Sequence, residues 1–223
     1  MEKARLGGAD AYGMQFCKLR EEYRNEETYK TLFSAAGGKP TYVTNYRKGA
    51  NEGRSDEEIA EHLVFIAECG ATLVDVMGDI FDKTEGELTV NPEAVAKQEQ
   101  LIKRLHGVGA EVLMSSHVLK FTPAEEVLRI ALEHERRGAD ISKIVVKAES
   151  TEEQIENLRI INLLKKSLKI PFLFLSGGEC RLMRRVGGVL GCCTYLCVAE
   201  HDELSTPSQP LISDIVKINE IFG

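Results

Sequence analysis

Four times in this chain a helical pattern runs into Gly-Ala and then into an apolar stretch. Gly8-Ala9 precedes DAYGMQF, Gly70-Ala71 precedes TLVDVMG, Gly109-Ala110 precedes EVLMSSH, and Gly138-Ala139 precedes DISKIVVKA. Glycine suits the left-handed position after a helix, and short β-rich runs without polar alternation read as strands buried on both faces. The spacings are 62, 39 and 29 residues, so the first gap holds two units of about 31, the length of a βαβ step. The member inside that gap is KPTYVTNYR, residues 39–47.

Helix starts support the alternation. Ser55 with Glu58 and Thr122 with Glu125 have capping-box spacing, while Asn91-Pro92 and Thr122-Pro123 set a cap before a proline at the first helical position. Adding PFLFLSG (171–177) and TYLCVAE (194–200) gives seven strands, each followed by a helix or helix-like segment. That many parallel units in 223 residues predict a single α/β domain, a TIM-type (β/α) barrel rather than an open doubly wound sheet. Seven is one short of eight, and MEKARLGGAD reads as the tail of a helix, so the first strand is expected to be missing and residues 1–223 to form an N-terminally incomplete barrel. An unclosed barrel exposes two edges, from which we expect a homodimer.

With 43% hydrophobic and 28% charged residues the chain has the makings of a packed core, and no apolar run is long enough to span a bilayer. The net charge of -7 excludes a dedicated nucleic-acid binder. An anionic small molecule must then be held by a few placed cations. The six cysteines lack zinc-site spacing and follow no secretory leader, so they read as reduced packing thiols of a cytoplasmic protein, with no metal.

In a barrel the active site gathers at the C-terminal strand ends. Lys143 lies inside ISKIVV, where an inward-pointing amine would be desolvated and made nucleophilic; outward-facing, it would be an ordinary snorkelling lysine. His117 closes EVLMSSH at the barrel mouth, as an acid-base group or a hydrogen-bonded structural one. A buried amine and a histidine on consecutive strands are together the parts of carbonyl activation followed by proton abstraction. His62, His106 and His134 fall within helical patterns and are expected at the surface.

MSSHVLKFTPAEE and GADISKIV, with 26 residues between His117 and Lys143, resemble the histidine and Schiff-base segments of the type I 3-dehydroquinate dehydratases. TNYRKGANEG resembles that family's arginine-to-glutamate stretch with one extra residue, MRRVGGVLG its Ser-Arg-x-x-Gly segment, and STPSQ its closing loop. The resemblance runs from Ala9 onward. It implies a lyase of the shikimate pathway that dehydrates a cyclic β-hydroxy ketone carboxylate without a cofactor. Lys143 would form the imine, His117 would move the proton and Glu52 would orient it. Arg47 and Arg184 would contact the substrate, Arg184 as carboxylate clamp, and Ser205 and Gln209 would cover it from a lid spanning 204–209.

Departures from the family pattern fall at the far end of the pocket. Gly13 and Gln15 stand in the places of a Glu-x-Arg pair, DVMGD replaces an Asp-x-Glu strand end, and LSGGECR replaces a Met-Gly-rich strand. Two other readings therefore stay open: a Schiff-base lyase or aldolase acting on another substrate, and a non-catalytic ligand-binding derivative.

Overall fold

The computed structural model describes residues 1–203 and 205–222. Six parallel strands pair strictly in chain order: β1 (Tyr12–Gln15), β2 (Thr41–Thr44), β3 (Leu73–Met77), β4 (Glu111–His117), β5 (Ile141–Lys147) and β6 (Phe172–Gly177). Between successive strands run α2 (Glu26–Ser34), α3 (Asp56–Glu68), α4 (Pro92–Gly107), α5 (Ala124–Arg136) and α6 (Thr151–Ser167); α1 (Glu2–Leu6) precedes β1, and α7 (Met183–Leu190) and α8 (Ile212–Phe222) follow β6. This is the strand-helix repeat of a TIM-type barrel, present as a curled parallel sheet.

The Gly-Ala signal marks real helix ends. Gly8, Gly70, Gly109 and Gly138 all have positive φ. After each, the alanine N–H reaches back five residues, as in Ala71 N to Ile66 O and Ala110 N to Leu105 O, so each turn is a Schellman closure. Ser55 and Glu58 form the expected capping box, and Asn91 caps α4 with Pro92 in first position. Thr122 does not cap α5: its hydroxyl donates to Lys120 O, and the helix starts at Ala124 after Pro123.

The helices bury one face against the sheet. Ile59, Leu63 and Ile66 of α3 and Leu101, Ile102 and Leu105 of α4 pack with Val43, Val74, Val76 and Val112. Val127, Ile130, Ile160, Ile161 and Leu164 of α5 and α6 pack with Ile144, Val146, Phe172 and Phe174. Among the described residues no helix is long and apolar enough to cross a membrane.

The expected seventh strand is absent. Cys193 makes one backbone bond to Phe172 O beside β6, and Val198 makes an isolated parallel bridge with Leu211. Between them Tyr195 folds back onto α7, where its hydroxyl accepts from Val189 N and its ring lies in the space a Cβ on Gly188 would fill. That packing draws the segment off the sheet, and among the described residues neither β1 nor β6 pairs with a further strand.

Candidate active site

Register brings the two predicted catalytic residues onto one face. Ser115 of β4 is the ladder partner of Lys143 of β5, and side chains two residues apart share a face. His117 therefore projects on the same side as Lys143, about 7 Å further toward the C-terminal end of the sheet.

Lys143 is 4% exposed, which settles its orientation as inward. Its Nζ meets Tyr46 Oη at 2.8 Å, Tyr42 Oη at 3.0 Å and Asp75 Oδ2 at 3.1 Å. Asp75, from the middle of β3, is 2% exposed. Its Oδ1 accepts from Ser115 Oγ at 2.6 Å, and its Oδ2 accepts from Tyr46 Oη at 2.7 Å and from Tyr42 Oη. Burial works to raise the Asp75 pKa, but the Lys143 charge and the three hydroxyls outweigh it and hold the carboxyl below its usual value. Both phenols are pushed well above their ordinary range by burial and by the Asp75 charge. The result is a buried ion pair in which the ammonium and both carboxylate oxygens have hydrogen-bond partners, the condition under which such a pair is tolerated in a low-dielectric interior.

His117 is half-buried. Its Nδ1 lies 2.6 Å from Glu87 Oε2, and the same oxygen accepts from His117 N at 3.1 Å. A carboxylate only accepts, so the proton sits on Nδ1 and Nε2 is the basic nitrogen. The Tyr46 ring stands edge-on to the imidazole, with centroids 5.4 Å apart and planes at 86°.

Glu87 comes from the β3–α4 loop and has φ of +52°. That left-handed backbone is fastened from below: Glu87 O accepts from Ser116 Oγ at 2.6 Å, and Gly78 offers it a bare backbone, since a Cβ there would lie 2.5 Å from the same oxygen. Buried Arg137 holds the rest of the loop by donating to Gly78 O, Thr89 O and Gln98 Oε1.

Glu52 does not orient His117. The extra residue after Arg47 is taken up in a 3-10 turn, Gly49–Asn51, that turns Asn51 inward onto Asn45 Oδ1 and Tyr46 O and leaves Glu52 exposed. Arg47 is likewise committed elsewhere. Its guanidinium spans Asp56 (2.7 and 2.8 Å) and Asp79 (2.7 Å to Oδ1, 2.8 Å to the carbonyl), tying the β2–α3 loop to the β3–α4 loop. Burial alone would lower its pKa; Asp56 and Asp79 raise it instead.

Arg184, in the first turn of α7, donates Nε to Ser176 O at 3.0 Å and pairs with no carboxylate among the described residues. Burial and then the neighbouring Arg181 charge lower its pKa, so it is a cation lacking a counterion. Ser205 is engaged within its own loop, where its hydroxyl donates to Asp202 O and its N–H to Asp202 Oδ1, and Gln209 N bonds Thr206 O. Neither is bonded to Lys143 or His117, and Leu204 of the expected lid lies outside the described residues.

Sequence reasoning missed Tyr42, Tyr46, Ser115 and Glu87 as site residues. One signal was available: Asp75 and Lys143 are opposite charges in the middle of apolar strands, and buried charges require partners.

Residues 18–223 match the sequence model of the family described as Type I 3-dehydroquinase. The 3-dehydroquinate dehydratase of Geobacillus thermodenitrificans is 28% identical over 211 residues, 93% of this chain and 77% of its own length. That of Alkaliphilus oremlandii is 33% identical over 123 residues, 54% of this chain, and the match spans only 48% of the relative. Among solved structures, 3-dehydroquinate dehydratase from Geobacillus kaustophilus superposes with a TM-score of 0.82 at 20% identity, over 99% of this chain and 83% of its own. The type I enzyme of Clostridium difficile, solved with covalently modified comenic acid, gives 0.78 at 19%, over 99% and 85%. These structures share the fold, and the sequence match over almost the entire chain shows that the protein belongs to the Type I 3-dehydroquinase family.

Proposed function

We propose that this protein is a hydro-lyase that converts 3-dehydroquinate to 3-dehydroshikimate through an imine on Lys143. The observation that carries the reading is a buried lysine on the same sheet face as a histidine whose Nδ1 is already held by a carboxylate. Lys143 attacks the ring ketone, and the protonated imine nitrogen becomes an electron sink that acidifies the adjacent carbon. His117 removes that proton with Nε2 and returns it to the departing β-hydroxyl, and water leaves with formation of the conjugated enone. Glu87, in place of Glu52, fixes the tautomer and supports the imidazolium. Arg184 clamps the substrate carboxylate, for which a guanidinium offers two parallel donors. Ser205 and Gln209 close over the ring from the loop after residue 203 and exclude water from the imine.

Gly13 and Gln15 line a cleft of about 430 Å³ beside β1 together with Met14, Leu19, Cys197 and Ile212. That cleft has neither Lys143 nor His117 in its lining; what favours a substrate with fewer or differently placed hydroxyls, as the second reading, is that Gly13 and Gln15 stand where the resemblance puts a charged pair. Residues 1–223 serve as one barrel domain of a cytoplasmic enzyme, and the open edges at β1 and β6 favour a homodimer.

The test is borohydride reduction in the presence of 3-dehydroquinate, with peptide mass mapping and enone absorbance followed in parallel. We expect an adduct on Lys143, none in Lys143→Ala, and enone formed by the native protein alone. An adduct without enone would replace this substrate by the second reading, and no adduct at all would overturn the imine chemistry.

A further inference from the structure

The imine reading leaves one proton unaccounted for. An ammonium has no lone pair, so Lys143 must lose a proton before it attacks, and it sits where bulk water does not reach it. Three groups touch Nζ. Tyr46 Oη makes the shortest contact at 2.8 Å, Tyr42 Oη follows at 3.0 Å, and Asp75 Oδ2 makes the longest at 3.1 Å. Both phenols also donate to Asp75 Oδ2, so each hydroxyl is already an accepting-and-donating bridge between amine and carboxylate.

The two phenols differ in placement. Tyr42 lies within β2, locked in the ladder between Gly13 of β1 and Leu73 of β3, whereas Tyr46 lies beyond the strand end with its ring against His117. Tyr46 is thus a side chain in contact with both the amine and the imidazole. A role confined to packing would be met by the ring alone.

Resting on the imine reading, we infer that Tyr46 is a catalytic residue whose hydroxyl relays the Lys143 proton to Asp75 and returns it when the carbinolamine loses water. In the forward step Nζ passes a proton to Tyr46 Oη as Tyr46 passes its own to Asp75 Oδ2, leaving a neutral amine and a neutral carboxyl. The amine lone pair forms the C–N bond, the carbonyl π pair moves to oxygen, and that oxygen takes one of the two protons remaining on nitrogen. Asp75 then gives its proton back through Tyr46 to the carbinolamine hydroxyl, the C–O bond breaks, and water departs. The iminium cation and the Asp75 carboxylate are left as the new ion pair, with charge and atoms conserved. The Lys143 charge and the hydroxyls that hold Asp75 as a carboxylate set the cost of this transfer, and C–N bond formation by the freed amine draws it forward.

Tyr46→Phe keeps the ring against His117 and removes only the hydroxyl. Rapid mixing with 3-dehydroquinate, quenching in borohydride and mass spectrometry give the rate of adduct formation separately from enone release. We expect Tyr46→Phe to form the Lys143 adduct at least about ten-fold more slowly, in line with a lost acid-base group, with the final extent of labelling unchanged. Tyr42→Phe, whose hydroxyl lies farther from Nζ, should lose less. In the native protein, which needs no variant to fold, adduct formation should be measurably slower in D₂O. Adduct formation as fast in Tyr46→Phe as in the native protein, or no solvent isotope effect on that step, overturns the relay and leaves the imine reading standing. Native protein that forms no adduct removes both.

Discussion

At the scale of single residues, the sharpest departure from expectation is the carboxylate behind the histidine. Glu52 and Glu87 offer the same functional group, and only one of them is within reach of His117 Nδ1. Glu87 holds both the ring and the backbone N–H of His117 with one oxygen, so its removal disturbs tautomer, orientation and imidazolium stability together. Glu87→Gln is therefore expected to lower kcat by about 10² to 10⁴, the range for a disabled acid-base group, with KM changed far less. Glu52→Gln should stay within about two-fold of the native rate, as expected of an exposed side chain with no partner in the site. Steady-state kinetics on the two variants decide the assignment, and the opposite ranking would restore Glu52. Lys143 and His117 were legible in the sequence because a charged and a titratable residue stand out against apolar strands. Tyr42 and Tyr46 were not, because tyrosine is an ordinary strand former, and Glu87 was hidden in the acidic run DKTEGEL, where nothing local says which carboxylate the left-handed backbone will turn inward.

At the scale of elements, α5 shows how tertiary structure overrides a pattern. His134 reads as a surface residue of an amphipathic helix, yet it is fully buried, with Nε2 3.1 Å from Ser116 Oγ of β4 and Nδ1 2.9 Å from Ser142 Oγ of β5. It fastens α5 to two adjacent strands, and through Ser116 it supports the Glu87 carbonyl. Burial, with the Arg137 charge adding to it, lowers its pKa from 6.5 to about 3. The unfolded chain consequently binds a proton that the folded chain refuses between these values. This contribution to stability is complete above pH 6.5 and is lost as pH falls toward 3, at about 1.4 kcal/mol per unit, or roughly 2 kcal/mol by pH 5. His62, lowered to about 4 mainly by burial, acts in the same sense. Urea unfolding at pH 7.5 and pH 5 should show this loss in the native protein and a shallower one in His134→Gln, whose stability at pH 7.5 is lower from the outset; equal pH slopes would refute the account. The helix-to-strand joints, by contrast, were readable because glycine at positive φ is a local requirement. The seventh strand was misread because TYLCVAE has strand composition, whereas Tyr195 packs against Gly188 of α7.

At the scale of the whole molecule, four of the six strands send polar groups to one buried point: Tyr42 from β2, Asp75 from β3, Ser115 from β4 and Lys143 from β5. A cluster of this kind is a poor way to stabilise a fold, because desolvating two charges offsets much of their attraction. The rest of the interior supplies stability from valine, isoleucine and leucine, and in the proposed function the polar centre serves the chemistry. The two roles separate in a double-mutant cycle. Lys143→Met leaves Asp75 a buried carboxylate without its cation, and Asp75→Asn leaves Lys143 without its anion. Each single change should cost about 3–5 kcal/mol by urea unfolding, less whatever a shift in protonation recovers. Combining the two removes both charges while the Ser115, Tyr42 and Tyr46 hydroxyls can still bond the asparagine, so the double variant should lose less than the sum of the two single losses, by a coupling of about 1–3 kcal/mol. It should also be fully inactive and untrappable by borohydride. Additive losses would instead mean that the pair contributes to stability through each residue independently, and the buried lysine would then be a structural element of the barrel as much as its proposed nucleophile.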